Sequence, residues 1–217
     1  MRVRNHQEIR HLYEKEKKRY AKEAHILTIR ECSAEDFLLT SKERLEKYGF
    51  GEYTTVVLTT DVVDTSPAAN TEENNTAGRA VPVKGSDGFR TAIFLRERFE
   101  NCPNDLVHWV VKLGVLYHEL GHAWEHKVGP HTNLEQGTTN LQGAEEFADE
   151  FAKTRLSRVA CRFPSSVGLL TNLWDCFDLF RHKGTYQNAP DVPKPTEGQA
   201  AAEAPPSSSQ PEGNPIR

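Results

Sequence analysis

Leu106-Val107-His108-Trp109-Val110-Val111-Lys112-Leu113-Gly114-Val115-Leu116-Tyr117 runs straight into His118-Glu119-Leu120-Gly121-His122, and the reading of this stretch decides the architecture. The apolar run predicts a mostly buried helix leading into the five-residue motif. Asn104 or Asp105, after Pro103, caps its start, and Gly129-Pro130 ends it near Lys127. Within it His118 and His122 stand four residues apart. At about 100° per residue they diverge by only about 40°, so both imidazoles project from one face and reach a single metal ion at about 2 Å. On a solvated helix the same letters would be two ordinary exposed histidines. The buried turns before them argue otherwise, because a buried helix holds ligands rigidly.

A zinc ion gripped in this way lowers the pKa of a bound water toward about 7. Glu119, next along the helix, is then placed as general base to take the water's proton and hand it to a leaving amine, with His118 and His122 as ligands only. An open catalytic site needs a third protein ligand. The leading candidate is Glu145, which opens Glu145-Glu146-Phe147-Ala148-Asp149-Glu150-Phe151-Ala152. Apolar residues at Leu141, Ala144, Phe147, Ala148, Phe151, Ala152 and Leu156 give this stretch a helical period. Glu145 and Asp149 share a face, so Asp149 can accept a hydrogen bond from the second nitrogen of a ligand histidine. Alone, an acidic cluster is usually a solvated face; after a histidine pair it reads as ligand and support. His131, supplied from a loop beyond the first helix, is the alternative third ligand. His126 extends the histidine row, but three positions spaced by four drift about 80° and cannot share one ion, so it reads as a neighbour. For stabilising a developing oxyanion, His131, His182 and Tyr186 are all candidates.

Taken together, His118-Glu119-Leu120-Gly121-His122 and Glu145-Glu146-Phe147-Ala148-Asp149 resemble the gluzincin pattern HExxH…ExxA(D/N), and most nearly the ImmA/IrrE family of metallo-endopeptidases. His126 falls where members often carry a further histidine, Phe151-Ala152 continues the family's motif, and Arg90-Thr91-Ala92-Ile93-Phe94-Leu95 resembles the strand before its active-site helix. The resemblance covers roughly residues 53 to 160. It implies zinc on His118, His122 and Glu145, Glu119 as base, Asp149 as outer support, and a protein substrate, often a DNA-binding repressor in that family. It also implies an α+β zincin-like fold, with a small twisted sheet packed beside two active-site helices and further helices at the N- and C-terminal sides. A polar insertion at Asp64 to Gly88 and Thr154-Arg155-Leu156-Ser157 after the second motif depart from the family's pattern. The CAAX prenyl proteases share the second motif but are embedded in membrane, and this chain has no apolar span of the ~20 residues a crossing needs.

A length of 217 residues suits one sizeable core. The net charge of −4 argues against attraction of the whole chain to nucleic acid, and a mean hydropathy of −0.65 implies that part of the chain lies outside the core. Cys32, Cys102, Cys161 and Cys176 form no CxxC pair and suit a reducing cytoplasm. The division expected is a charged helical extension over 1–30, a peptidase domain over 31–186 and a disordered Pro/Ala/Ser/Glu-rich tail over 187–217.

Asn5 to Ala24 alternates Lys and Arg with Glu on strong helix formers, a solvated helix whose interleaved acids would blunt phosphate attraction. Ser33 and Asp36 suggest a capping box for a helix through Tyr48 that Gly49 ends. Tyr53 to Thr59 reads as a strand. Asp64 to Gly88 reads as a surface excursion, with a hairpin beside the cleft as the alternative. Thr91 to Arg96 reads as an exposed strand beside the active-site helix, able to pair with extended substrate backbone. After Pro164, Val167 to Phe180 is amphipathic and reads as a core helix. The function expected is a zinc-dependent endopeptidase acting on an intracellular protein. The alternative is a metal-stabilised interaction module without turnover, a sensor or antirepressor.

Overall fold

The computed structural model describes residues 3–60, 77–99, 102 and 105–162. Among these residues, four α-helices and two small mixed sheets make an α+β architecture. The helices are α1 (Val3–Tyr20), α2 (Ser41–Lys47), α3 (Asp105–Val128) and α4 (Leu141–Arg162). The strands are β1 (Ile26–Cys32), β2 (Thr54–Thr55), β3 (Thr59–Thr60), β4 (Gly78–Gly85), β5 (Gly88–Arg96), β6 (Thr132–Asn133) and β7 (Thr138–Thr139). One sheet has the order β1-β5-β4-β2 and the other β3-β7-β6. No helix among the described residues is long and apolar enough to cross a membrane.

Strand β5 is central, parallel to β1 and antiparallel to β4. Its side chains serve two cores. Ala92 and Phe94 join Phe37, Leu45, Val81 and Val83 on one face, while Ile93 and Leu95 join Tyr13, Leu113, Leu116 and Leu120 on the other. Burial on both faces is why the sequence there is an unbroken apolar run, and it corrects the expectation of an exposed strand at Thr91 to Arg96. β4, whose outer neighbour β2 pairs only with Val83 and Lys84, lies within the stretch expected to be an excursion. A two-residue turn at Ser86 and Asp87 joins β4 to β5, with Gly88 at φ +108°, a conformation glycine adopts without steric cost. The described part of Asp64 to Gly88 is therefore half of a hairpin.

Two other expectations change in detail. Tyr53 to Thr59 is not one strand: Thr54–Thr55 pairs with β4, Thr59–Thr60 pairs with β7, and Val57 between them is 78% exposed as the chain changes sheets. Ser33 and Asp36 do exchange hydrogen bonds, at 3.2 and 3.3 Å, but they open only a 3-10 turn over Glu35–Leu38. Leu39 is extended at ψ 147°, and α2 begins afresh behind a capping box of Thr40 and Glu43.

Helix α1 is part of the main core, and β1 runs through residues 30 and 31, where a division was expected. Ile9, Tyr13 and Tyr20 are buried, and α1 is tied to the sheet and to α3 by Glu31. That carboxylate accepts from Lys17 at 2.6 Å, Lys112 at 2.8 Å and Tyr13 at 3.0 Å. Burial works to raise the Glu31 pKa, yet the two ammonium groups outweigh it and hold it below the usual range. Lys112 is only 3% exposed, so losing its partner would strand a charge at a cost of about 3–5 kcal/mol. Met1–Thr185 and Tyr186–Arg217 are separate units, the second wholly outside the described residues. The helix expected over Val167 to Phe180, the tail, His182 and Tyr186 also lie outside them.

Candidate metal centre

Helix α3 runs beneath β4 and β5 as a 24-residue element, ended by Gly129 at φ +64°, whose N–H donates to the Glu125 carbonyl at 2.8 Å. Helix α4 starts where the Asn140 side chain accepts the Gly143 N–H at 3.2 Å. The two helices cross at short range because the facing positions are small. A Cβ on Gly121 would meet Ala148 Cα at 2.6 Å and its carbonyl oxygen at 3.0 Å. Ala144, Ala148 and Ala152 continue this buried seam on α4.

The close crossing carries Glu145 to the histidine pair. Nε2 of His118 and Nε2 of His122 are 3.1 Å apart; Glu145 Oε2 lies 3.6 Å from the first and Oε1 lies 3.3 Å from the second. A tetrahedral ion with arms of about 2.0–2.1 Å has edges of roughly 3.3–3.4 Å. These separations are close to such an edge, although the two histidines face different oxygens of the one carboxylate, and the group can hold a metal. On the other ring nitrogen, Nδ1 of His118 is 2.9 Å from Asp149 Oδ1. An acceptor there favours the tautomer that leaves Nε2 free as a ligand.

Glu119 is 6% exposed and faces β4. Burial pushes its pKa up, opposed by the neighbouring His118 and His122, and the Ala80 backbone N–H donates to its carboxylate. Strand and side chain meet closely: a Cβ on Gly78 would lie 2.7 Å from Glu119 Cγ and Oε1. Antiparallel pairing explains the direction. The Arg96 N–H donates to the Ala77 carbonyl, so alternate residues Gly78, Ala80 and Pro82 turn their backbone groups away from β5. Of these, the Pro82 carbonyl accepts from Val56 N–H at 2.9 Å.

The other histidines go elsewhere. His126 Nδ1 lies 2.9 Å from Thr91 Oγ1, and burial drives its pKa down to about 3. His131 has its ring against Gly143, where a Cβ would be 2.5 Å from Nδ1; Gly143 lies about 200° around α4 from Glu145. The potential ligand group among the described residues contains Glu145 and not His131. Glu125, fully buried, accepts the His131 N–H at 2.6 Å and so pins the turn after α3.

Comparisons of the chain with protein-family models, with curated proteins and with solved structures find no match. The residues that sequence reasoning passed over are Gly78, Ala80 and Gly121 in its packing role. A usable signal existed for the first two: the β-branched Val81 and Val83 stand at alternate positions ahead of Gly85-Ser86-Asp87-Gly88, which has the form of a hairpin turn.

Proposed function

We propose that the protein is a zinc-dependent metallo-endopeptidase with a zincin-like arrangement, hydrolysing peptide bonds of a protein substrate. The observation that carries this reading is the mutual spacing of the three donor atoms of His118, His122 and Glu145, with Glu119 buried beside them. Two imidazoles and a carboxylate leaving one corner free are the donor set of a catalytic zinc site; a purely structural site would be closed by a fourth protein ligand.

When bound there, zinc supplies Lewis acidity, polarising a substrate carbonyl and lowering the pKa of water toward about 7. Glu119 takes a proton from the attacking water as its oxygen bonds to the carbonyl carbon, then delivers that proton to the amine nitrogen as the C–N bond breaks. Asp149 keeps the His118 ring in the ligand tautomer. Gly78 lets β4 approach, and the Ala80 N–H orients Glu119. Substrate backbone in extended form pairs with the outward groups of Gly78 and with the Ala80 carbonyl, the Ala80 N–H being held by Glu119, so the pairing strand is β4, one position further out than the sequence suggested. A free thiol at Cys32 fits a cytoplasmic setting and an intracellular substrate.

Purified protein is expected to hold about one zinc per chain by mass spectrometry. Glu119→Gln should keep the metal and lose cleavage of new substrates identified by comparing protein termini in cells expressing either form. Cleavage undiminished in that variant would remove Glu119 as base. Zinc bound by the wild type without any new termini would favour an interaction module.

A further inference from the structure

Single apolar side chains on a protein surface are ordinary, but two of those here border the metal centre. Leu141 is 56% exposed, and among the exposed positions described on α4 it alone is apolar. It precedes the ligand Glu145 by four residues, one turn along the helix and about 40° around it, so the two share a face. Val57 is 78% exposed and approaches from the strand side. The Val56 N–H donates to the Pro82 carbonyl at 2.9 Å, and Pro82 is two residues along β4 from Ala80, whose N–H holds Glu119. Residues 54–56 therefore occupy the outer edge of β4 up to Pro82, and Val57 stands where that cover ends and the reach from Ala80 to Gly78 begins.

Both belong to the end of the cleft where α3 stops. Thr91, opposite Pro82 in the hairpin, lies against His126, two residues from the end of α3. The Asn140 N–H donates to the carbonyl of His131, whose own N–H is held by Glu125 of α3, and Leu141 follows directly. The small sheet ties the two together: β3 begins two residues after Val57, β7 ends two residues before Leu141, and Thr59 pairs in parallel with Thr138. The Thr59 N–H donates to the Gly137 carbonyl at 2.8 Å, and a Cβ on Gly137 would lie 3.1 Å from the Val57 carbonyl oxygen. Leu141 is four residues of chain beyond Gly137, so the two apolar walls are within about 20 Å of each other. Main-chain bonds on both sides of Val57 and the Asn140 cap beside Leu141 fix the walls before any ligand arrives.

We propose that Val57 and Leu141 select the substrate of the peptidase: they pack against apolar side chains of an extended peptide, all on one side of the bond to be cleaved. This selection rests on the peptidase reading and on pairing along β4. A peptide paired with the Gly78–Ala80 reach has its bond to be cleaved beside Glu119, which is held at the same stretch. Its continuation toward Pro82 cannot follow β4, because Val56 already fills that edge, and it is turned instead over Val57 and toward Leu141. Main-chain pairing is blind to sequence, so choice falls to the side chains met outside the ladder. An aliphatic or aromatic residue there removes apolar surface on both partners from water, whereas a charged one loses solvent and gains nothing from Val57 or Leu141.

The test is digestion of a synthetic peptide library, randomised at its central positions, by the zinc-loaded full chain. Cleaved bonds are read by mass spectrometry, with Glu119→Gln as the control for a foreign protease. The wild type should enrich Leu, Ile, Val, Met or Phe within about three residues of the bond on one side. Leu141→Ser and Val57→Ser should each weaken the enrichment on that same side and lower kcat/KM for a favoured peptide by about tenfold, with zinc content and circular dichroism unchanged. Leu141→Met, which keeps an apolar chain there, should retain the preference. Cleavage without apolar preference, preferences unchanged in both serine variants, or effects falling on opposite sides of the bond overturn the proposal and leave the peptidase standing. A zinc-loaded wild type that cleaves no peptide removes the peptidase reading, and the proposal with it.

Discussion

The α3–α4 pair and the β4–β5 hairpin meet at Glu119, yet they were written into the chain in different ways. The helices announce their chemistry at spacings of three and four residues, because ligands on one helical face must recur at that interval. In the proposed reaction the strand contributes no side chain. Gly78 acts by lacking one and Ala80 by its backbone N–H, and both depend on which neighbour the strand pairs with. Short-range periodicity thus reveals donors, while the surface that orients them depends on long-range pairing.

The severest way to break the helical half is Gly121→Val. Its new side chain meets Ala148 backbone that cannot turn aside, and a loss of about 3 kcal/mol in urea unfolding is expected together with more than about 100-fold weaker zinc binding. Retained zinc affinity would show that the crossing tolerates expansion. The matching attack on the strand is Gly78→Ala, whose methyl would displace Glu119. Because a misplacement of about 1 Å can cost about 100-fold in rate, kcat should fall by that order while zinc titration changes little. Equal loss of metal and rate would erase the distinction drawn between the two regions. Asp149→Asn is expected to weaken zinc binding about 10- to 100-fold, measured by competition with a chromophoric chelator. A value inside twofold would leave His118 without its support from α4.

A smaller effect probes the other face of the sheet. Asp36 joins the 3-10 turn to α2 through Lys47, Tyr48 and Ser33. Burial works to raise its pKa, but those hydrogen bonds outweigh it and hold the carboxyl at about 2, against 3.8 when unperturbed. A depressed folded-state pKa means that its contribution is complete above the unfolded value and drains away as pH falls from about 4 through about 2. Stability should drop by on the order of 1–2 kcal/mol across that window, and Asp36→Asn should flatten this part of the curve in denaturation followed by fluorescence.

Much of the centre was legible because its donors recur at helical spacing: His118, His122, Glu145 and the adjoining Asp149 come together as that spacing implies. The sheet was harder. Arg90 to Leu95 was recognisable as strand from its β-branched and aromatic content, but its central position follows from burial on both faces, which a single run cannot distinguish from exposure on one. β1 escaped notice because Ile26 to Cys32 sits against a highly charged helix and carries Arg30 and Glu31 in its middle. Glu31 is accommodated by Lys112, 81 residues further along the chain.

A cleft that works by main-chain pairing must leave some ladder open, and an open ladder is also an invitation to self-association. The contact between Val56 and Pro82 limits that hazard. Proline at Pro82 has no N–H to offer, its carbonyl is already satisfied, and β2 covers Lys84 and Val83 beyond it. Among the described residues, what stays outward on β4 is the short reach from Gly78 to Ala80, long enough for the proposed pairing with a peptide and too little to template a stack of identical chains.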